Sequence, residues 1–203
     1  MQIIVIHLQE RYDREYWIKT HFQVNEVPTY KIWNAIKHEN GELGLLETWK
    51  ILTTSLLDSP HEHFLIFEDD AEFIIPNPMK EIEKVFKELP KDFDLCFLGC
   101  NLEKADTEPF SNHLIKVKTA KAAHAIIYSK EIIRKLNNAL LSLQPPIPYD
   151  ELLISEVQIN NNSYASKPMI VGQKEGYSDI QKKIVSYNDM LKYRFNKNTN
   201  GNM

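Results

Sequence analysis

Three neighbouring carboxylates, Glu68, Asp69 and Asp70, end an apolar stretch of the chain, where the segment 64–73 reads FLIFEDDAEF. Four consecutive apolar residues are typical of a short strand that is buried on both faces of a sheet. Three adjacent carboxylates repel one another unless a cation or a basic group neutralises them. In open α/β sheets, ligands bind just outside the carboxyl ends of the strands. The segment therefore indicates a divalent-metal site at a strand end; the alternative is a solvated acidic turn.

The bulk composition is that of an ordinary globular protein. The chain has 203 residues, of which 43% are hydrophobic and 26% charged, and its formal net charge is −4. This length suits one well-buried domain and leaves little room for two. The charge balance argues against a nucleic-acid partner. Cys96 and Cys100 indicate reduced thiols, and the absence of a signal-peptide layout or a membrane-length apolar run favours a cytoplasmic protein.

Strand-like and helix-like segments alternate in the first half of the chain, and the second half is more mixed. Strands are predicted at 3–8, 29–33, 64–67, 93–98, 115–117, 122–128 and 164–171, with a loop at 101–111. Helices are predicted from 9 onward with Tyr16, Trp17 and Phe22 inward, at 42–57, at 79–89, after Ser129 and at 149–157. This order favours an α/β fold with a mostly parallel central sheet, flanking helices and a smaller antiparallel part.

Several common site motifs are absent from the sequence. Neither Gly-x-x-x-x-Gly-Lys-Ser/Thr nor Gly-x-Gly-x-x-Gly occurs, which argues against P-loop and Rossmann dinucleotide sites. The Gly-x-Ser-x-Gly nucleophile elbow is also absent. The triplet His61-Glu62-His63 has no other obvious ligands for zinc. A metal held by one or two acids commonly bridges phosphates, so a metal-dependent nucleotide-sugar site remains.

Five ordered stretches resemble glycosyltransferase family 25, the lipooligosaccharide-type glycosyltransferases with a GT-A-like fold. They are LQERYDR at 8–14, GELG at 41–44, FEDDA at 67–71, DLCFLG at 94–99, and PMIVGQ at 168–173 followed by SDI at 178–180. The resemblance implies a GT-A-like (Rossmann-like) catalytic domain over 1–195, with a polar, disordered tail at 196–203. It also implies inverting, metal-dependent transfer from a nucleotide sugar such as a UDP-sugar to a hydroxyl of a glycan, for example a lipooligosaccharide.

The chain departs from the family pattern after Gly44. The family usually continues with a cysteine and, a few residues later, a Ser-His pair, whereas this chain has Leu45 and then Thr48-Trp49. The departure supports one rival interpretation, a non-catalytic nucleotide-sugar binder. The other rival is a nucleotidyltransferase, which would need a glycine-rich basic loop after the first strand.

The resemblance assigns roles to the acidic segment and to the late motif. Asp70 and Glu68 are predicted to bind Mn²⁺ or Mg²⁺ and the donor diphosphate, and Asp69 to orient the sugar or the ribose. The donor-binding residues predicted from the matching motifs are Arg11, Arg14, Gly44, Gln173, Ser178 and Asp179.

The chemistry of the two arginines and of Asp150 supports these roles, with alternatives beside them. Arg11 and Arg14 would lie on the same side as the acids in a parallel sheet and could contact a diphosphate; alternatively, Glu10 and Arg14 pair on a helix surface. Asp150 is a candidate general base for the acceptor hydroxyl, or it stabilises a helix N-terminus. His124 lies either at the pocket or in the core as a satisfied histidine.

The last stretch, 181–203, is basic, with five Lys or Arg residues against one acid and apolar residues interleaved. This pattern favours a docked helix with a solvated basic face. The alternative is peripheral contact with an anionic membrane surface, where a lipid-linked acceptor would lie.

Overall fold

The computed structural model describes residues 1–102, 107–160 and 162–186. The strands are β1 (Gln2–His7), β2 (Tyr30–Asn34), β3 (His63–Glu68), β4 (Ala71–Phe73), β5 (Leu95–Phe97), β6 (Thr107–Pro109), β7 (Leu114–Val117), β8 (Ala125–Ser129), β9 (Ser163–Ser166), β10 (Val171–Gln173), β11 (Gly176–Ser178) and β12 (Lys183–Val185). The α-helices are α1 (Tyr12–Val24), α2 (Gly41–Leu57), α3 (Pro78–Glu88), α4 (Lys130–Ser142) and α5 (Tyr149–Glu156), and Gln158–Asn160 forms a 3-10 helix.

Eight strands form the central sheet in the order β2-β1-β3-β8-β5-β9-β7-β6. β1 pairs in parallel with β2 and β3, and β5 pairs in parallel with β9. β8 lies antiparallel between β3 and β5, and β7 is antiparallel to β9 and β6. Six of these eight strands therefore run in one direction, which confirms the predicted α/β class with a mostly parallel sheet. The smaller antiparallel part consists of the pairs β4–β10 and β11–β12.

The central strand β3 separates two apolar cores. Its alternate residues Phe64 and Ile66 belong to the core beneath α2, α4 and α5, whereas Leu65 and Phe67 belong to the core beneath α1 and α3. Because successive side chains of a strand point to opposite faces, both faces of β3 must be apolar. The continuous apolar run that predicts this strand is the consequence of that double burial.

Helix α2 follows the prediction closely. Asn40 caps its first turn by accepting hydrogen bonds from the Glu42 and Leu43 amides at 3.0 and 3.3 Å. Trp49, Leu52 and Leu56, which recur at helical spacing, are buried in the core. The helix predicted at 42–57 is therefore formed at Gly41–Leu57.

The structure corrects the prediction for α1. Tyr16 was predicted to face the core, but it is 76% exposed, while Ile18 and Phe22 are fully buried. The reason is the helical phase: two residues advance a helix by ~200°, so Tyr16 lies on the side opposite Ile18. The helix also begins at Tyr12 rather than at residue 9.

The late part of the chain is more divided than predicted. The strand expected at 164–171 is two strands, β9 in the central sheet and β10 paired with β4, with Pro168 in the connection. Pro168 has no amide to donate to a sheet ladder, so a continuous strand is disfavoured there. The hairpin β11–β12 was not predicted, and it places residues 183–185 in a strand rather than in the expected basic helix. The loop expected at 101–111 contains the short strand β6.

Some predictions fall outside the described residues. The end of the catalytic domain at 195, the polar tail 196–203 and most of the basic stretch, 187–203, belong to this group. Of the helices within residues 1–102, 107–160 and 162–186, none combines the length and the apolar character that a membrane crossing requires.

Gly99, which follows β5, lies against the backbone of β10. A Cβ atom at this position would lie 1.7 Å from the carbonyl oxygen of Val171 and 2.7 Å from Nε2 of His124. The carbonyl cannot simply withdraw, because the Val171 amide donates to Leu98 at 3.1 Å. We therefore expect Gly99→Ala to lower the free energy of unfolding by at least about 1–3 kcal/mol in urea titrations.

The matched control is Gly176→Ala at the start of β11. A Cβ there meets no atom within 4 Å. This variant should keep the wild-type stability or gain up to about 1 kcal/mol through the unfolded chain. Equal stabilities of the two variants would contradict the close approach at Gly99.

Candidate functional site

A cavity of about 670 Å³ lies at the carboxyl edge of the central sheet. Nine of the ten predicted site residues are among the described residues that line it, and Gly44 is not. The nine are Arg11, Arg14, Glu68, Asp69, Asp70, Asp150, Gln173, Ser178 and Asp179. The two arginines and the three acids at 68–70 converge because β1 and β3 are parallel neighbours, so the segments that follow these two strands start at the same edge. The roles of these residues remain predictions.

Arg14 provides the positive charge that the acidic segment requires. Its Nη1 atom lies 2.6 Å from Oδ1 of Asp69 and 3.4 Å from Oδ2 of Asp70. The arginine side chain is 17% exposed and the two aspartates are 7% and 15% exposed, so water screens these contacts weakly. The alternative pairing of Arg14 with Glu10 is not formed, because Glu10 pairs with Lys37 at 3.3 Å.

Asp69 is bound through both carboxylate oxygens. Oδ1 accepts from Arg14, and Oδ2 lies 2.8 Å from Nδ1 of His7, the last residue of β1. His7 is 3% exposed, and its Nε2 atom has no hydrogen-bond partner among the described residues. The sequence reasoning missed His7. The available signal was one polar residue at the end of an otherwise apolar strand.

Asp70 keeps one oxygen without a partner. Its Oδ1 atom is buried and accepts no hydrogen bond from the described part of the chain. Burial raises the pKa of Asp70 from 3.8 to about 6, although the charge of Arg14 opposes this shift. A carboxylate oxygen without a donor is a suitable ligand for Mg²⁺ or Mn²⁺, so the residue fits the predicted metal.

Within residues 1–102, 107–160 and 162–186, no three His, Cys, Asp or Glu side chains are grouped so as to hold a metal ion by themselves. Mg²⁺ in nucleotide sites usually keeps several waters and takes one or two carboxylates from the protein, besides phosphate oxygens.

Glu68 continues the strand alternation of Phe64 and Ile66, and so it belongs to the side of the sheet that carries α5. Burial raises the pKa of Glu68 well above its ordinary value, and the charges of Asp70, Asp150 and Asp69 add to this effect. Glu68 therefore lies on the α5 side of the sheet, whereas the adjacent Asp69 contacts His7 of β1 and Arg14 of α1.

Asp150 lies in the first turn of α5, and its Oδ2 atom accepts a hydrogen bond from the Ala122 amide at 3.1 Å. Burial raises the pKa of Asp150, whereas the Ala122 hydrogen bond and Lys121 lower it. The carboxylate is thus fixed in orientation and holds a proton more readily than an exposed aspartate. Both properties suit a general base.

The residues Thr48 and Trp49, which replace the family's Ser-His pair, have structural partners. The Thr48 hydroxyl donates to the Gly44 carbonyl at 2.7 Å and accepts from the Ile36 amide at 2.8 Å. The Trp49 ring stacks on the Tyr149 ring with a centroid distance of 4.3 Å. Thr48 therefore ties the loop after β2 to α2, and Trp49 supports the residue that precedes Asp150.

The hairpin β11–β12 forms one wall of the cavity and is held by both predicted arginines. Nη1 of Arg11 lies 2.5 Å from Oδ2 of Asp179 and 3.1 Å from the Tyr177 carbonyl oxygen. Nη2 of Arg14 donates to the same carbonyl at 2.9 Å. The turn also packs against α2, because a Cβ on Gly41 would lie 2.9 Å from the Asp179 carbonyl oxygen.

Gly44 and His124 have close packing contacts. Donor binding by Gly44 stays a prediction, and the glycine permits close approach of a loop to α2, because a Cβ there would lie 2.6 Å from the Ile36 carbonyl oxygen. His124 is 2% exposed, and its Nε2 atom lies 3.2 Å from the Val171 carbonyl oxygen. Burial lowers the pKa of His124 to about 4, as expected for a neutral core histidine.

Comparison with known proteins identifies a shared fold. No protein-family model and no curated protein sequence matches the chain. A solved glycosyltransferase that is involved in glycosylation of the major capsid of PBCV-1 aligns over 95% of this chain and 98% of its own, with a TM-score of 0.57 and 10% identity. A197 from STIV aligns over 91% of this chain and 93% of its own, with a TM-score of 0.51 and 11% identity.

Likeness at such low identity establishes the fold alone. The chain therefore has the α/β fold of a known glycosyltransferase over nearly its whole length. Membership of glycosyltransferase family 25 remains a prediction from the five ordered sequence stretches.

The raised pKa of Asp70 has a consequence for stability in metal-free buffer. Below pH 3.8 the residue is protonated in the folded and the unfolded chain, and it adds no cost. Above pH 6 it is ionised in both, and burial of the charge costs up to about 3 kcal/mol. Asp70→Asn should therefore raise the urea midpoint at pH 7.5 in EDTA, and the gain should fade as the pH falls from 6 to 4.

Glu175→Gln is the control. Glu175 is exposed, and it follows Lys174, whose amide donates to the Asp70 carbonyl oxygen at 2.7 Å. It should follow the pH dependence of the wild-type protein. A gain from Asp70→Asn that is the same at pH 4 and pH 7.5 would contradict the assignment of the cost to ionisation.

Proposed function

We propose that this protein is a glycosyltransferase that moves a sugar from a nucleotide donor, most simply a UDP-sugar, to a hydroxyl group of a glycan. The observation that carries the proposal is the unpartnered, buried Oδ1 atom of Asp70 in a cavity that also contains two arginines and Asp150. A diphosphate with a divalent ion would satisfy this oxygen. The shared fold with a glycosyltransferase supports the same reading.

The donor end of the proposed site is the side of Asp70 and the arginines. Asp70 would hold Mn²⁺ or Mg²⁺, with Glu68 as the second ligand that the family resemblance implies. When bound, such an ion supplies positive charge to the departing nucleoside diphosphate. Arg11 and Arg14 bring guanidinium groups to the same cavity, where they would donate charge-assisted hydrogen bonds to phosphate oxygens.

The acceptor end is the side of Asp150. In a single displacement, the acceptor oxygen forms a bond to the anomeric carbon while the bond from that carbon to the diphosphate oxygen breaks. Asp150 takes the proton of the attacking hydroxyl group. The leaving diphosphate carries the electron pair of the broken bond, and no covalent sugar intermediate on the protein is needed.

A thermal-shift screen of nucleotide sugars with and without Mn²⁺ tests the donor assignment. We expect one nucleotide sugar to raise the Tm in the presence of Mn²⁺, since a ligand that binds only the native state stabilises it. Asp70→Asn should lose the part of the shift that depends on Mn²⁺. An unchanged Mn²⁺-dependent turnover in this variant would show that Asp70 does not hold the metal.

Activity assays and calorimetry separate the rival functions. Release of pyrophosphate from a nucleoside triphosphate and a sugar phosphate would identify a nucleotidyltransferase. Donor binding by calorimetry without hydrolysis or transfer would identify a non-catalytic binder.

Substitution of Asp150 should separate chemistry from donor binding. We expect Asp150→Asn to lower kcat by about 10²–10⁴-fold, because the amide cannot accept the proton of the hydroxyl group. The Tm shift with the donor and Mn²⁺ should remain. Measurement of kcat together with the Tm shift checks both parts.

Glu151→Gln is the matched control, because Glu151 is the next residue of the same helical turn and pairs with Lys121 at 2.6 Å. Its side chain is 48% exposed, so it should affect kcat less than threefold, the scale expected for an exposed ion pair. Similar losses of kcat in both variants would contradict the assignment of Asp150 as the general base.

The acceptor and the location are finer proposals. A glycan such as a lipooligosaccharide is the acceptor class that the family resemblance implies, in a cytoplasmic enzyme. Contact with the inner membrane face through the basic stretch 181–203 would bring the cavity to a lipid-linked acceptor. Binding to vesicles that contain anionic lipid, compared with neutral vesicles, tests that contact.

A further inference from the structure

We infer that His7 is a positioning residue of the transfer site: it fixes Asp69 and, through Asp69, holds the Arg14 guanidinium at the cavity. The identity of the ligand that Arg14 meets rests on the proposed function. The chain of contacts from His7 to Arg14 does not.

His7, the first residue in this series of contacts, is held rigidly. His7 ends β1, which is hydrogen-bonded to β2 on one side and to β3 on the other. Its carbonyl oxygen accepts from the Ala35 amide at 2.7 Å, and the residue is 3% exposed. The imidazole therefore has little freedom to leave Oδ2 of Asp69, which lies 2.8 Å from Nδ1.

Asp69 transmits this position to Arg14. With Oδ2 held by His7, the carboxylate plane is fixed, and Oδ1 lies 2.6 Å from Nη1 of Arg14. Nη2 of Arg14 is held by the Tyr177 carbonyl at 2.9 Å. A long arginine side chain normally loses much rotamer freedom when it binds a ligand, and a guanidinium held in advance loses less. Asp69 thus orients an arginine in addition to any contact that it makes with the sugar.

A histidine at this position has a cost in folding stability. The other buried residues of β1, Ile3, Ile4, Val5 and Ile6, are aliphatic. His7 instead buries its Nε2 atom with no hydrogen-bond partner in the described part of the chain. An unsatisfied buried nitrogen destabilises a fold, and this cost is set against the hydrogen bond between Nδ1 and Oδ2 of Asp69. The orientation of Asp69 is what the histidine adds.

Three substitutions of His7 test the role. In His7→Asn the amide nitrogen lies about where Nδ1 lies and can still donate to Asp69. In His7→Gln the same amide reaches toward the Nε2 position, and His7→Leu has no donor. Kinetics with the nucleotide sugar found by the thermal-shift screen gives KM and kcat, and ¹⁵N NMR of arginine side chains reports the Arg14 guanidinium.

We expect a rise in donor KM of roughly tenfold or more for His7→Leu and His7→Gln, because a mobile guanidinium must be ordered on binding. His7→Asn should stay within about threefold of the wild-type KM. The slow rotation of the Arg14 guanidinium, visible as separate Nη signals, should persist in wild type and His7→Asn. It should be lost in the other two variants.

Asn137→Leu is the control for lost stability. Asn137 is also 3% exposed, but it donates to Thr53 and Thr54 between α4 and α2. This variant should lower the Tm and leave the donor KM and the Arg14 signals as in wild type. If His7→Leu does not fold, the comparison of His7→Asn with His7→Gln decides whether His7 holds Asp69 and Arg14 in position.

Two results would overturn the role of His7. One is an equal KM and an equal set of Arg14 signals for His7→Asn and His7→Gln. The other is a wild-type KM and wild-type signals for a folded His7→Leu. If the wild-type protein binds and turns over no nucleotide sugar, the proposed function fails, and the Arg14 signals alone then decide whether His7 holds this arginine.

Discussion

The contact of the Arg14 guanidinium with Asp69 and Asp70 is the interaction on which the site depends. Three carboxylates in sequence at the end of a buried strand cannot be ionised together without a nearby cation. The parallel pairing of β1 and β3 places the first turn of α1 beside them, so the cation comes from the chain itself. β1 and β3 are buried on both faces. This burial fixes the strand ends that precede Arg14 on one side of the contact and the two aspartates on the other.

The alternation of β3 then sorts the acids into two groups. Asp69 engages the histidine at the end of β1 and the arginine of α1, whereas Glu68 belongs to the side of the sheet that carries α5 and Asp150. The acidic segment therefore reaches both sides of the sheet at this edge. A donor diphosphate on the arginine side and an acceptor hydroxyl on the Asp150 side would meet above Asp70.

The position of the site could be predicted from the sequence, but its internal contacts could not. The apolar run before Glu68 predicts a buried strand, and the rule for parallel sheets then brings Arg14 and Asp70 to one edge. The partner of His7 is 62 residues away, and it is determined by a strand register that no local pattern reveals. At Gly44 the structure adds a packing requirement that the motif match did not indicate, because a Cβ there would meet the Ile36 carbonyl oxygen.

Thr48 and Trp49, which stand where glycosyltransferase family 25 usually has a Ser-His pair, both have structural partners. The Thr48 hydroxyl group makes two hydrogen bonds to the backbone that fix the loop after β2. This loop lines the cavity. Trp49 stacks on Tyr149, and the helix that begins there carries Asp150. Thr48 and Trp49 therefore support the loop and the helix that surround the cavity. A nucleotide-sugar binder and an enzyme both need such supporting contacts, so these contacts support a ligand site and do not separate the two functions. The buried Asp70 oxygen without a partner points the same way, because it costs stability as long as no ligand binds it.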